Sequence, residues 1–195
     1  MLIGCDCSVV VGTTQALMQS GEREVHVLYI DGDFDDAPPD AARCQSAASC
    51  GVWLLTHNSP FWAGPALLPS QVTVLGCSNP ARTDSGTRVR SMPLSEVRRL
   101  GARQAAQQAL RDIPLSAAVL VHLDIDVFRK AEMPAAYFPH EEGLTLEQGA
   151  DIFKVVSQDP RIRIIEVSEY AALRDLDQVW VGKLAGLLAN AMRRQ

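Results

Sequence analysis

Val25-His26-Val27-Leu28-Tyr29-Ile30-Asp31-Gly32-Asp33-Phe34-Asp35 is an apolar run that ends in three acids spaced two apart, and Ala118-Val119-Leu120-Val121-His122-Leu123-Asp124-Ile125-Asp126 repeats the design. Short apolar runs bounded by polar residues read as strands buried on both faces, the mark of a parallel sheet. Residues two apart on extended backbone point the same way, so each strand end presents its carboxylates on one side. Further runs of this kind occupy residues 2–5, 72–75 and 162–167, and helical spacing occupies 9–18, 94–112, 146–156 and 177–194. Strand alternating with helix predicts a doubly wound α/β fold, a single domain over residues 1–195 with long loops at 36–49 and 79–88.

Open α/β sheets bind ligands at the carboxyl ends of their strands, where both acidic clusters fall. Asp31, Asp33, Asp35, Asp124 and Asp126 converging there, with no lysine or arginine close in sequence, would repel one another and could not all stay ionised. One or two divalent cations remove that conflict. Hard oxygen donors suit magnesium or manganese, and a two-metal site makes a nucleophile of water, which points to a metal-dependent hydrolase. A plainer alternative is that one Asp-x-Asp caps the loop after it while the other is solvated. A phosphotransferase with Asp31 as nucleophile and Asp33 as acid ranks lower, because it leaves Asp124 and Asp126 idle and wants a hydroxyl where Asp35 stands.

The bulk numbers narrow the class. With 195 residues, 47% of them hydrophobic, the chain can bury one sizeable core. Its 18 basic residues against 23 acids, a formal charge of −5, argue against a nucleic-acid partner. The cysteines (Cys5, Cys7, Cys44, Cys50 and Cys77) are odd in number and sparse, so no disulfide framework and a cytoplasmic location are expected. No basic leader opens the sequence and no apolar stretch approaches the ~20 residues a membrane helix needs, so no membrane association is expected.

Other residues carry chemistry with less certainty. Cys7, just ahead of a helix, is either a metal-binding thiolate with a pKa lowered by the helix start or a buried structural cysteine. Glu166, with Glu169 close behind, either pairs with a cationic substrate group or faces water. His57 and His140 stand in loops, available as proton shuttles or uninvolved. Cys44, Cys77, His26 and His122 read as structural.

Taken in order, Gly4-Cys5-Asp6-Cys7-Ser8, Asp31-Gly32-Asp33-Phe34-Asp35, His122-Leu123-Asp124-Ile125-Asp126, Glu142-Gly143-Leu144-Thr145 and Ile164-Ile165-Glu166-Val167-Ser168 resemble the GGDHS, DAHxD, SxDxD, GGLT and EVN motifs of the arginase/agmatinase (ureohydrolase) family. The resemblance spans almost the whole chain. It implies a three-layer α/β/α fold with a parallel sheet of arginase/deacetylase type, and a binuclear manganese site with about two Mn(2+) per chain. By the same resemblance the ligands would be Cys7, Asp31, Asp33, Asp35, Asp124 and Asp126. A metal-bridging hydroxide would attack the guanidino carbon of a small substrate, Glu166 would orient the cation, and Cys50 would occupy the place of the proton-transfer histidine.

Three departures qualify the likeness: Cys7 and Asp33 replace the two metal-binding histidines, and Cys50 precedes Gly51 where the family has His-Gly. The cysteine in the first motif, Cys50-Gly51-Val52-Trp53, Leu28-Tyr29-Ile30-Asp31-Gly32 and Met133-Pro134-Ala135-Ala136-Tyr137 are similar to the family's divergent hydroxyarginine-hydrolysing branch. The expectation is a hydrolase of a guanidino or hydroxyguanidino compound, giving ornithine and hydroxyurea or urea. The alternative is a catalytically inactive arginase-fold binding protein. Relatives carry strands and helices before the first motif, so the chain is expected to be N-terminally short, its first strand at an uncovered edge; a homo-oligomer is left open.

Overall fold

Leu2–Ile3 (β1), Val25–Ile30 (β2), Val72–Leu75 (β3), Arg90–Met92 (β4), Ala118–Asp124 (β5) and Ile162–Ser168 (β6) form one parallel sheet in the order β1-β6-β5-β2-β3-β4. The structure is a computed structural model and describes residues 1–21, 24–40, 42, 46–58, 64–79 and 88–192. Cys44, most of the loop expected at 79–88 and the end of the helix expected at 177–194 lie outside the described residues. Every residue of β2 and β5 is buried, which is why both read as continuous apolar runs and why both take central places.

Helices cover both faces. Val9–Gln19 (α1) and Gly51–Thr56 (α2) lie on one side, with Val10, Val52 and Leu55 packed on Val25, Val27 and Tyr29. Leu94–Leu100 (α3), Ala102–Arg111 (α4), Leu146–Val156 (α5) and Val179–Met192 (α6) lie on the other, with Ala105, Ile152 and Leu188 in one core with Leu28, Ile30 and Val121. Strand residues two apart thus serve the same layer, and the expected three-layer α/β/α arrangement is present. Residues 94–112 form two helices rather than the single one expected, because Gly101 adopts φ +84, a conformation that breaks the run and suits glycine. Asp6 accepts the Ser8 N–H (2.8 Å) and hydroxyl (2.5 Å) at the start of α1, while Thr145 and Gln148 cap α5 reciprocally. Among the described residues no helix is long and apolar enough to cross a membrane.

Strand register places the site. Ile30 pairs with Leu123, Asp124 with Ser168, and Leu2 with Glu166, so the carboxyl ends of β2, β5, β6 and β1 finish level. The loop after β5 is fastened by backbone bonds, Leu144 N–H to Val127 O (2.8 Å) and Arg129 N–H to Leu144 O (3.0 Å). A Cβ at Gly143 would stand 2.5 Å from Arg129 N, 2.7 Å from Val127 O and 2.8 Å from the Phe128 carbonyl carbon, all backbone that cannot swing aside. Gly143→Ala is expected to cost about 1–3 kcal/mol. Each kcal/mol lowers the melting temperature by roughly 2–4 °C in a chain of this size, which a circular-dichroism melt reads; an unchanged melt would mean the loop yields.

Candidate metal centre

Each Asp-x-Asp turn begins by satisfying itself. Asp31 Oδ1 accepts the Asp33 N–H at 2.6 Å and Asp124 Oδ1 accepts the Asp126 N–H at 2.7 Å, so both leading acids cap their own loops with one oxygen. The other oxygens stay free for shared work: Asp124 Oδ2 is 2.7 Å and Asp31 Oδ2 3.9 Å from Cys7 Sγ, delivered by the loop between β1 and α1. Asp126 Oδ1 accepts the Gly32 N–H (3.0 Å) and so ties the two strand ends together. Asp31, Asp124 and Asp126 each offer an oxygen within 4.8 Å of the others, and all three are buried. Cys7 with Asp31 and His122, Cys7 with Asp124 and Glu169, and Asp33 with Asp126 and His140 meet the same limit.

The electrostatics fit a cation. Burial first, and then the neighbouring acids, push the carboxyls of Asp31 and Asp124 well above the usual range. Asp35 is raised to about 8, chiefly by burial, although the Tyr29 hydroxyl donates to its Oδ2 at 2.7 Å. The Cys7 thiol is also pushed well up, by burial and by Asp124, Asp31 and Asp35. Of the two readings of Cys7, a thiol lowered by the helix start does not hold without a metal, because burial and the neighbouring acids outweigh the helix's partial charge. Among the described residues no lysine or arginine pairs with any of these groups. Such donors either hold protons or take a divalent cation, so the residues present fit a metal site.

Asp33, the residue most at odds with a histidine ligand, is less buried and is held below the usual range by His140 first, with the Asn79 amide also donating to it. His140 Nε2 lies 3.3 Å from Asp33 Oδ2 and 3.4 Å from Asp126 Oδ2, and these two acids raise it to about 10. Sequence reasoning left this histidine uncommitted, because nothing in its spacing links a loop residue to two distant strand ends.

Beneath the carboxylates runs a second row on the α1 side. Glu166 Oε1 lies 2.7 Å from His122 Nδ1, His122 stacks on Tyr29 at 4.4 Å, and its Nε2 lies 3.3 Å from Ser168 Oγ. Glu166 is fully buried and, among the described residues, its Oε2 has no hydrogen-bond partner. His122, set aside as structural, is therefore part of the wall of the site. Glu169, at φ +66 and buried, is raised to about 7 by burial, Asp126 and Asp6; its place just after a strand end was the available signal.

Cys50 is buried at the start of α2, its thiol raised by burial first, with Asp35 among the charges it feels. Asp35 itself sits at φ +47 and its carbonyl accepts the Val52 N–H (2.9 Å), which anchors α2 to the site. A Cβ at Gly51 would stand 2.5 Å from the Tyr29 hydroxyl, so glycine there lets Tyr29 reach Asp35. Among the described residues no contact brings His57 to the cluster: it stacks on Trp53 at 4.5 Å with Nδ1 3.0 Å from Trp53 O. Cys77 is buried with its thiol raised to about 11, and His26 Nε2 lies 2.8 Å from Glu24 Oε1.

A model of the arginase family matches residues 1–193. The chain is 27% identical over 189 residues to an N(omega)-hydroxy-L-arginine amidinohydrolase of Streptomyces lavendulae, covering 91% of this chain and 63% of that relative. It thus spans under two thirds of that relative's length. Among solved structures it superposes on an arginase from Bacillus cereus (TM-score 0.84, 15% identity, 99% of this chain and 70% of that one). It also superposes on a Trypanosoma cruzi formiminoglutamase determined with Mn2+ (TM-score 0.79, 18% identity, 97% and 62%).

Proposed function

The chain belongs to the arginase family, and from that premise we propose that it is a metal-dependent hydrolase of a guanidino or hydroxyguanidino compound, of the Nω-hydroxyarginine kind. The observation that carries this reading is the buried meeting of Cys7, Asp31, Asp124 and Asp126 with no lysine or arginine paired to them among the described residues. Cys7, Asp31, Asp33, Asp35, Asp124 and Asp126 would hold the metal, with manganese favoured by oxygen donors and by the ion in the formiminoglutamase relative. When bound, the metal supplies Lewis acidity that makes a nucleophile of water at neutral pH.

The chain's own groups do the rest. Turn hydrogen bonds from Asp33 and Asp126 fix the orientation of Asp31 and Asp124 before any ligand arrives, so little reorganisation is needed on binding. Glu166 suits the cationic end of the substrate. Its unpartnered Oε2 is an acceptor whose isolation costs about 1–3 kcal/mol, a cost that a donated substrate N–H removes. Cys50 in place of a proton-transfer histidine is a poor acid for a strongly basic leaving amine, its thiol being raised further by burial. A hydroxyguanidine expels the same amine, but it is far less basic than a guanidine and reaches the site in part uncharged, with a carbon more open to attack, and is then the better substrate.

The test is elemental analysis of the purified chain followed by assays of urea and hydroxyurea release. About two manganese per chain are expected, with turnover of Nω-hydroxyarginine well above that of arginine. Equal turnover of the two substrates would refute the preference. The position of Asp33, where relatives hold a histidine, favours as a second reading an inactive binding protein; a chain that takes up no metal even after reconstitution would establish it.

A further inference from the structure

We infer that His140 is a metal ligand of this site, supplying from the loop ahead of α5 the imidazole that position 33 lacks; the assignment rests on the metal-dependent reading above. The contacts leave little else for this ring to do. Its Nε2 is enclosed within the protein and, among the described residues, faces two acids without a hydrogen bond of ordinary geometry to either. At 3.3 Å from Asp33 Oδ2 and 3.4 Å from Asp126 Oδ2 it completes a group of three donors that all lie within 4.8 Å of one another. Asp126 belongs to this group and also to the one formed with Asp31 and Asp124, so the two donor sets share a carboxylate and adjoin, as two neighbouring cations require.

The surroundings hold the ring in place. The His140 carbonyl accepts the Lys130 N–H at 2.6 Å, within the loop that the close packing of Gly143 fastens. On the other side, a Cβ at position 32 would stand 2.7 Å from His140 Cδ2, so the glycine between Asp31 and Asp33 makes the room the imidazole occupies. The other histidine near the carboxylates is engaged elsewhere, through Nδ1 with Glu166 and Nε2 with Ser168. His140 also adds a donor without adding charge. Five carboxylates and a thiolate already outnumber the charge of two divalent ions, and a neutral nitrogen completes the coordination without worsening that imbalance.

The experiment compares the full chain with His140→Gln, which keeps bulk and polarity but removes the ring. Manganese binding is followed by calorimetric titration, and nitrogen hyperfine coupling to the bound manganese by pulsed electron paramagnetic resonance. Wild type is expected to bind about two ions and show the coupling. The variant is expected to keep one ion, weaken the second by at least about 10–100-fold, the loss incurred even by an outer partner of a ligand, and lose the coupling. A variant that binds both ions as wild type does, or one that gains an ion because a protonated ring had filled its place, overturns the assignment and leaves the hydrolase reading standing. A wild-type chain that binds no manganese overturns both. Circular-dichroism spectra and melts of the two metal-free proteins establish that the variant is folded.

Discussion

Asp124→Asn, stripped of metal, is expected to melt higher than the wild-type chain, and to lack the stability that manganese is expected to confer on the wild type. Asp124 is buried and repels Asp126 and Asp35, and its Oδ2 accepts from the Cys7 thiol, a contact that an amide N–H facing the sulfur replaces. An amide keeps the oxygen that accepts the Asp126 N–H and removes the charge, so the metal-free variant loses a penalty and almost no structure. The same change removes a donor from the centre of the set. A ligand present at 100 times its dissociation constant stabilises by about 2.7 kcal/mol, and one weakened 100-fold by about 0.4 kcal/mol at that concentration. Melts with and without manganese read the difference, and hydrolysis falls with it. Equal manganese-dependent shifts in the two proteins would place the metal elsewhere.

Metal-free protein is also expected to be more stable at pH 5 than at pH 8. The carboxyls of Asp31 and Asp124 are raised, Asp35 reaches about 8 and Glu169 about 7, so between the unfolded carboxyl range and these values the folded chain binds more protons than the unfolded one. Stability contributed by such groups is full below the unfolded pKa and is lost as pH rises through the folded one. His140, raised to about 10, acts in the same direction across the upper part of this window. Asp33, Asp159 and Asp175 are lowered and act oppositely, but only in acid below it. Each pKa unit expressed is about 1.4 kcal/mol. Manganese competes with protons for the same oxygens, so the rise in melting temperature it produces should grow with pH. A metal-free melting temperature that is flat or climbing from pH 5 to pH 8 would contradict the buried-acid account.

What could be read before any coordinates were known follows burial. β2 and β5 are legible because parallel strands enclosed on both faces leave unbroken apolar runs, and their terminal acids stand out against them. β4 is three residues led by an arginine and carries no such contrast. α2 is a six-residue helix with Gly51 at its start, where close approach to Tyr29 outweighs helix propensity. Gly101 was visible, but the helical spacing around it runs on through the break. Within the site, Asp31, Asp33, Asp35, Asp124 and Asp126 announce themselves by alternation. His140 and Glu169 do not, since they reach the carboxylates through loop paths that no periodicity encodes. Cys7 was legible as a residue, and its environment was not: the acids that raise its thiol come from other strands.

The order of the sheet sets β1 beside β6, and β5 between β6 and β2. Cys7 meets Asp31 across 24 positions of sequence, Asp124 across 117 and Ser168 across 161. The carboxylates of β2 and β5 meet once those two strands pair, but Cys7 joins them only when β6 seats β1 in the sheet, so the full donor set waits for the last strand. An ion held there contributes after the folding barrier rather than before it, slowing the loss of the native state and leaving the rate of its formation untouched. It is a brace on a finished sheet and not a template for building one.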